Sequence, residues 1–134
     1  MYFCTAKLKI YMTKKLDKTN ILLKHIINVI QDAKGKEIIS LALGKIESAI
    51  CQYFIICTGT SSTHVKSIES KIKKTISQDL GEKPWHCEGS DVSEWVLMDY
   101  YDIVVHIFQE NSRKFYNLED FWGDAKFKKY LEEK

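Results

Sequence analysis

Trp95-Val96-Leu97-Met98-Asp99-Tyr100-Tyr101-Asp102-Ile103-Val104-Val105-His106-Ile107-Phe108 decides the fold. It reads as two short strands, rich in β-branched and aromatic residues, joined by a tight turn at Tyr100-Tyr101. With a two-residue loop Asp99 faces Asp102, Met98 faces Ile103, Val96 faces Val105 and Trp95 faces His106. Side chains alternate along a strand and cross-strand partners share a face. One face then carries Val96, Met98, Ile103, Val105 and Ile107, all apolar. The other carries Trp95, Leu97, Asp99, Asp102, Val104, His106 and Phe108, a mixture of aromatic, acidic and imidazole groups. The first face must be covered, and the second must either be covered or touch something.

Working outward toward the N-terminus, Asn20 is a candidate N-cap for a helix whose Leu22, Leu23, Ile26, Ile27 and Ile30 recur at helical spacing, with Gly35 as its C′ stop. Residues 1–18 are expected to be a poorly ordered arm, and 19–134 a single domain. Met12 would serve as a start, which would make the first eleven residues an extension. A strand is expected over 37–43, ended by Gly44, then a polar connection from Lys45 to Gln52. The continuous apolar run Tyr53-Phe54-Ile55-Ile56-Cys57 predicts a central strand buried on both faces. Thr58 to Ser62 forms a hydroxyl-rich loop that caps a helix from about Thr63 to Leu80, with Val65, Ile68, Ile72, Ile76 and Leu80 inward and Gly81 as its stop. A short strand at Pro84–Glu88 completes a β-α-β unit. After the hairpin, Ser112 to Leu131 predicts an acidic-then-basic helical tail. The expected architecture is α+β, with about five strands in a mixed sheet and helices mainly on one face.

Composition narrows the class. The chain has 134 residues, 45% hydrophobic and 28% charged, values of a soluble globular domain. The net charge of +2 does not by itself argue for nucleic acid, and 19 of the 20 basic residues are Lys, with Arg113 the sole Arg. Arg is the residue suited to bidentate phosphate and base contacts, so no sequence-specific nucleic-acid partner is expected. Cys4, Cys51, Cys57 and Cys87 form no C-x-x-C pair and have no zinc spacing with the histidines, so they read as reduced thiols. No apolar run approaches a membrane span, and no targeting segment is evident, so a cytoplasmic location and no membrane partner are expected.

Catalytic patterns are weak. The Thr58–Ser62 loop precedes a helix N-terminus, which suits an anion. It has one glycine, no following Lys and no G-x-G-x-x-G pattern. A metal-dependent transferase needs convergent carboxylates, and Asp99 and Asp102 flank a turn instead. His64, His86 and His106 are scattered, and His106 reads first as a packed sheet histidine, then as a contact residue. No catalytic, cofactor or metal site is expected. The positive signal is aromatic: Trp95, Tyr100, Tyr101, Phe108, Tyr116 and Trp122 lie among Asp99, Asp102, Glu119 and Asp120. Aromatic anchors ringed by charge compose a protein-binding patch, whereas the same rings would equally serve as core for the second face of the sheet.

These residues carry a recognisable order: Tyr53 through Ser61, His64-Val65, Glu88-Gly89, Trp95 through Phe108, and Arg113 through Trp122. The chain thereby resembles the ribosomal silencing factor family (RsfS, also called Iojap) over roughly Ile21 to Ala125. The resemblance implies a non-enzymatic translation repressor that binds the large ribosomal subunit through its protein L-fourteen. It implies that small-subunit joining is blocked when nutrients are short, and that the protein forms a homodimer. It also implies a nucleotidyltransferase-like topology without the catalytic acids. Trp95, Asp99, Tyr100, Asp102 and His106 match the family's hairpin signature, Glu88-Gly89 its E-G, and Arg113, Tyr116, Leu118, Glu119 and Trp122 its C-terminal signature. Together with Tyr101 and Phe108, these are the expected partner-binding residues. The alternative is a small nucleotide-binding or nucleotidyltransferase-type enzyme using the 58–62 loop. Three departures from the family pattern stand out: Gln52 where Asp is usual, Leu41-Ala42 where Leu-Asp is usual, and Tyr101 where the turn carries Gly.

Overall fold

The computed structural model describes residues 2–44, 51–123 and 125–132, with no side chains described for 2–13 and 15. The order is α1 (Tyr2–Asp32), β1 (Lys36–Ala42), β2 (Tyr53–Gly59), α2 (Ser62–Leu80), β3 (His86–Glu88), β4 (Trp95–Asp99), β5 (Ile103–Gln109), α3 (Glu110–Tyr116), α4 (Leu118–Phe121) and β6 (Lys126–Lys129). The six strands form one mixed sheet in the order β3-β4-β5-β2-β1-β6, with β2 and β5 parallel at its centre and every other neighbouring pair antiparallel. The fold class is the expected α+β mixed sheet, with one strand more than anticipated.

That extra strand corrects the C-terminal reading. Residues 112–131 do not form one helical tail. Asn117 adopts φ 47 and its N–H closes on the Arg113 carbonyl at 2.9 Å, which stops α3 after seven residues. The chain then makes one turn of α4 and returns as β6 beside β1, pairing Leu41 with Phe127 and Ile39 with Lys129. Asn tolerates the left-handed region better than most side chains, and a helical-spacing count does not register such a break.

The first helix also differs. It begins at Tyr2 rather than at Asn20, so the expected arm lies inside α1, and Asn20 caps nothing. At its other end the left-handed residue is Lys34 (φ 63), not Gly35. Gly35 N–H bonds to the Ile30 carbonyl at 2.9 Å and Lys34 N–H to that of Gln31 at 3.0 Å, the two bonds of a Schellman motif. Glycine is still demanded at 35, because a Cβ there would lie 2.4 Å from the Ile30 methyl. Of the polar connection expected from Lys45 to Gln52, residues 45–50 lie outside the described residues.

α1 and α2 cover one face of the sheet. Ile26, Ile30, Val65, Ile68, Ile72 and Ile76 are fully buried there against Ile38, Ile55, Cys57, Val96, Met98, Ile103, Val105 and Ile107. α2 is held at both ends: the Ser61 hydroxyl accepts from His64 N–H, and Gly81 at φ 68 donates to the Ser77 carbonyl. His64 fastens the helices together. Thr60 N–H donates to its Nδ1 at 2.9 Å, so its Nε2–H is left to donate to the Ala33 carbonyl at 2.8 Å, at the end of α1. β3 runs parallel to β2 but lies at the sheet edge with β5 and β4 between, so the crossover through α2 spans two strands.

Candidate functional site

Among the described residues, the second face of the sheet is covered by α3, α4 and their connections. Its buried residues are Ile39, Leu41, Leu43, Phe54, Ile56, Val104 and Phe108, with Trp95, Leu97, Leu118 and Trp122 partly buried over them. Along the border of this covering aromatic surface reaches solvent, at Phe115, Tyr116 and Phe121.

The hairpin itself pairs Trp95 with Phe108, Val96 with Ile107, Leu97 with His106, Met98 with Val105 and Asp99 with Val104. The expected pairing was displaced by two residues on the partner strand. Because the displacement is even, each residue stays on its predicted face. The turn is centred on Tyr101-Asp102, with Tyr100 N–H donating to the Ile103 carbonyl at 2.8 Å. Asp102 N–H also reaches the Tyr100 carbonyl at 3.0 Å across Tyr101 at φ 72, the pattern of a γ-turn with positive φ. Two contacts hold Tyr101 in this strained region. Its N–H donates to the Asp99 carboxylate at 2.8 Å, and its ring stacks on Trp85 at 5.7 Å.

The mixed face is neither all core nor all surface. His106 and Phe108, both expected to touch a partner, are only 3% and 1% exposed. Trp95 N–H donates to His106 Nδ1 at 3.0 Å, so the neutral imidazole carries its proton on Nε2. That Nε2 is buried with no hydrogen-bond partner among the described residues. Burial alone pushes the His106 pKa down to about 3. Tyr100 is likewise buried, on the opposite, helix-covered face. Trp95 packs between Phe108 at 5.0 Å and Tyr116 at 4.6 Å, and Trp122 meets Phe54 edge-on at 5.8 Å.

Arg113, also expected at the surface, is a clamp. Its Nη1 donates to the Glu37 carbonyl at 2.6 Å and to Thr58 Oγ1 at 2.8 Å, and its Nε donates to the Glu119 carboxylate at 2.8 Å. One planar guanidinium therefore ties α3 to α4, to the start of β1 and to the end of β2. Gly89 is equally internal: at φ 85 it passes so close to Trp95 that a Cβ would fall 2.0 Å from that carbonyl. The Glu88-Gly89 pair thus serves the approach of the chain to β4, with the Glu88 side chain outside and bonded to His86.

What remains for contact is Trp95 at its exposed margin, half-exposed Tyr116, and Asp99, Tyr101, Asp102, Glu88, Glu119 and Trp122, each at least partly accessible. Sequence reasoning missed four exposed rings: Phe115 at 81% and Phe121 at 76% flank Tyr116 and Trp122, Trp85 is 57% exposed, and Phe127 is 51% exposed. A signal existed in the run Phe115-Tyr116 and Phe121-Trp122, where adjacent aromatics on short helices cannot all face inward.

The 58–62 loop has little left for a ligand. Thr60 N–H and the Ser61 hydroxyl serve His64, Thr58 Oγ1 accepts from Arg113, and a Cβ on Gly59 would press within 2.7 Å of Val65. Among the described residues, no three His, Cys, Asp or Glu side chains gather where a metal ion could be held. No helix among them is long and apolar enough to cross a membrane.

Comparison with known proteins bears on the family and the fold. The family model described as "Ribosomal silencing factor during starvation" matches residues 16–134. The chain is 38% identical to the ribosomal silencing factor RsfS of Halalkalibacterium halodurans over 104 residues, covering 78% of this chain and 87% of that one. It is 39% identical to the RsfS of Bacillus subtilis, covering 70% and 78% respectively. A crystal structure of a Chromobacterium violaceum protein superposes with a TM-score of 0.73 at 34% identity, covering 78% of this chain and 85% of that one.

Proposed function

The chain belongs to the ribosomal silencing factor family, and we propose that it represses translation by docking on the large ribosomal subunit and sterically excluding the small one. Protein L-fourteen is the proposed receptor, the cytoplasm the proposed site of action, and a homodimer the proposed free form. The observation that carries the docking is the aromatic border of the incompletely covered sheet face. Phe115, Tyr116 and Phe121 are exposed beside partly exposed Trp95 and Trp122. Large rings left in water, rimmed here by Glu119 and Asp120, are the usual composition of an interface centre with a charged rim. Carboxylates at the rim favour a basic partner, by steering as well as by contact.

No chemical step is proposed. The nucleotide-binding alternative rests on the 58–62 loop, where the Thr58, Thr60 and Ser61 hydroxyls and the Thr60 amide already serve the internal structure. Sucrose-gradient sedimentation tests the main reading: added protein should travel with the large subunit and reduce its joining to the small one. Co-sedimentation with the small subunit alone, or unaltered joining, rejects it.

A further inference from the structure

The strand β6 is an edge of the sheet, and all four of its residues, Lys126, Phe127, Lys128 and Lys129, are exposed. Lysines on an edge strand discourage sheet-to-sheet aggregation, and that alone would account for the charges. It does not account for Phe127, which stands 51% exposed in the middle of them. Nor are the lysines neutralised: among the described residues no carboxylate lies within ion-pair distance of the three. Two of them lean on rings instead, Lys129 over Phe127 at 5.8 Å and Lys128 over Tyr130 at 5.1 Å. Phe127 and Lys129 line a groove with five carboxylates, each already partnered: Glu37 and Glu119 with Arg113, Glu110 with Lys114, Asp120 with Asn117 and Glu132 with Lys36.

Register places this edge relative to the aromatic border. Phe127 lies opposite Leu41 and Lys129 opposite Ile39, and both partners belong to the second face of the sheet. Phe127 and Lys129 therefore share the face of Trp95, four strand spacings or about 19 Å away, while Lys126 and Lys128 point to the other side.

We propose that the β6 edge binds the sugar–phosphate backbone of unpaired RNA, its lysines meeting phosphates and Phe127 stacking on a base. Unpaired cations interleaved with an exposed ring are what sequence-independent single-strand binding requires. Lys supplies the point charges, so the scarcity of Arg is no obstacle where no base edge is read. That this RNA belongs to the docked particle rests on the silencing-factor reading; the binding itself does not. The edge thus adds an RNA contact to a face that meets protein.

The test is fluorescence anisotropy of a labelled uridine dodecamer with the full chain between 50 and 200 mM salt. Binding should weaken with salt, and a variant with Lys126, Lys128 and Lys129 all changed to Gln should lose about two units of the log–log slope, at about 0.7 per phosphate contact. Phe127→Ala should weaken binding several-fold with the slope unchanged. Circular dichroism confirms that each variant is folded. The proposal is overturned if the wild type fails to bind at 50 mM salt, if the triple variant keeps the wild-type slope, or if poly-glutamate of equal charge competes as well as RNA does. Phe115→Ser separates the two readings, since it should lose large-subunit association and keep dodecamer binding.

Discussion

The indole N–H of Trp95 and Nδ1 of His106, 3.0 Å apart on adjacent strands, form a diagonal pair that sets the rotamer of one and the tautomer of the other. Among the described residues His106 has no other polar partner, and it is held neutral, its pKa lowered by burial to about 3. An ordinary His takes up a proton near pH 6.5, so in the range from about 6.5 down to 3 the unfolded chain binds a proton that the folded chain refuses. Stability from this group is thus full above pH 6.5 and declines as pH falls, with a slope approaching about 1.4 kcal/mol per pH unit. Urea midpoints measured from pH 7 to 4 should show the decline, and His106→Gln should flatten it by close to one proton. An unchanged profile would mean that His106 titrates normally in the fold.

The Arg113 clamp predicts that a change of side-chain shape matters even when charge is kept. Lys has a point charge on a flexible stem and cannot reach Glu119, Glu37 and Thr58 together. Arg113→Lys should lower stability by about 2 kcal/mol, since hydrogen bonds to charged groups contribute about 1.5–3 kcal/mol each and a Lys recovers part of them. Limited proteolysis should then cut within 110–121 first. Wild-type stability in the Lys variant would show that the clamp is dispensable.

Tyr101 at φ 72 stores strain that its stack on Trp85 and its bond to Asp99 hold in place. With the stack removed by Trp85→Ala, a further Tyr101→Gly should stabilise the protein by about 1 kcal/mol, the penalty relieved. In the wild-type background the gain should be smaller, because an aromatic pair is worth about 0.5–1.5 kcal/mol and is lost with the ring. Chemical denaturation of the four variants as a double-mutant cycle measures the coupling, and equal effects in both backgrounds would refute it.

Phe115 and Phe121 are 81% and 76% exposed, so Phe115→Ser and Phe121→Ser should leave stability within about 0.5 kcal/mol. If the aromatic border is the docking surface, each should weaken large-subunit association about tenfold, or about 1.4 kcal/mol. Trp95→Ala is a poorer probe, because its ring packs on Phe108 and Tyr116 and its loss would also unsettle the core. Full association by both Phe variants would move the docking site off this border.

The alternation from Trp95 to Phe108 was sufficient to assign both faces of the hairpin, even though the register proved two residues displaced. A shift of two preserves the side-chain alternation, so the face assignment was insensitive to it. Ile55 and Ile56 announced a strand buried on both sides for a similar reason, since no polar residue interrupts the run. The break in the C-terminal tail was hidden, because Asn117 and the return of β6 depend on an empty edge beside β1 that only the assembled sheet presents. The expected contact residues divide in the structure between surface and interior, and no local pattern separated them. Trp95, His106, Phe108 and Arg113 were all expected at the partner, yet His106, Phe108 and Arg113 serve the interior.

Local chemistry in the sequence determined which residues alternate, where α2 starts and stops, and which family the chain resembles, because those features depend on neighbours within a few positions. Tertiary structure alone decided which aromatic rings reach water. The two helices α3 and α4 have enough surface to bury Phe54, His106 and Phe108 but not Phe115, Tyr116 and Phe121. That division depends on how much of a six-stranded face two short helices can cover, a quantity that no local pattern contains.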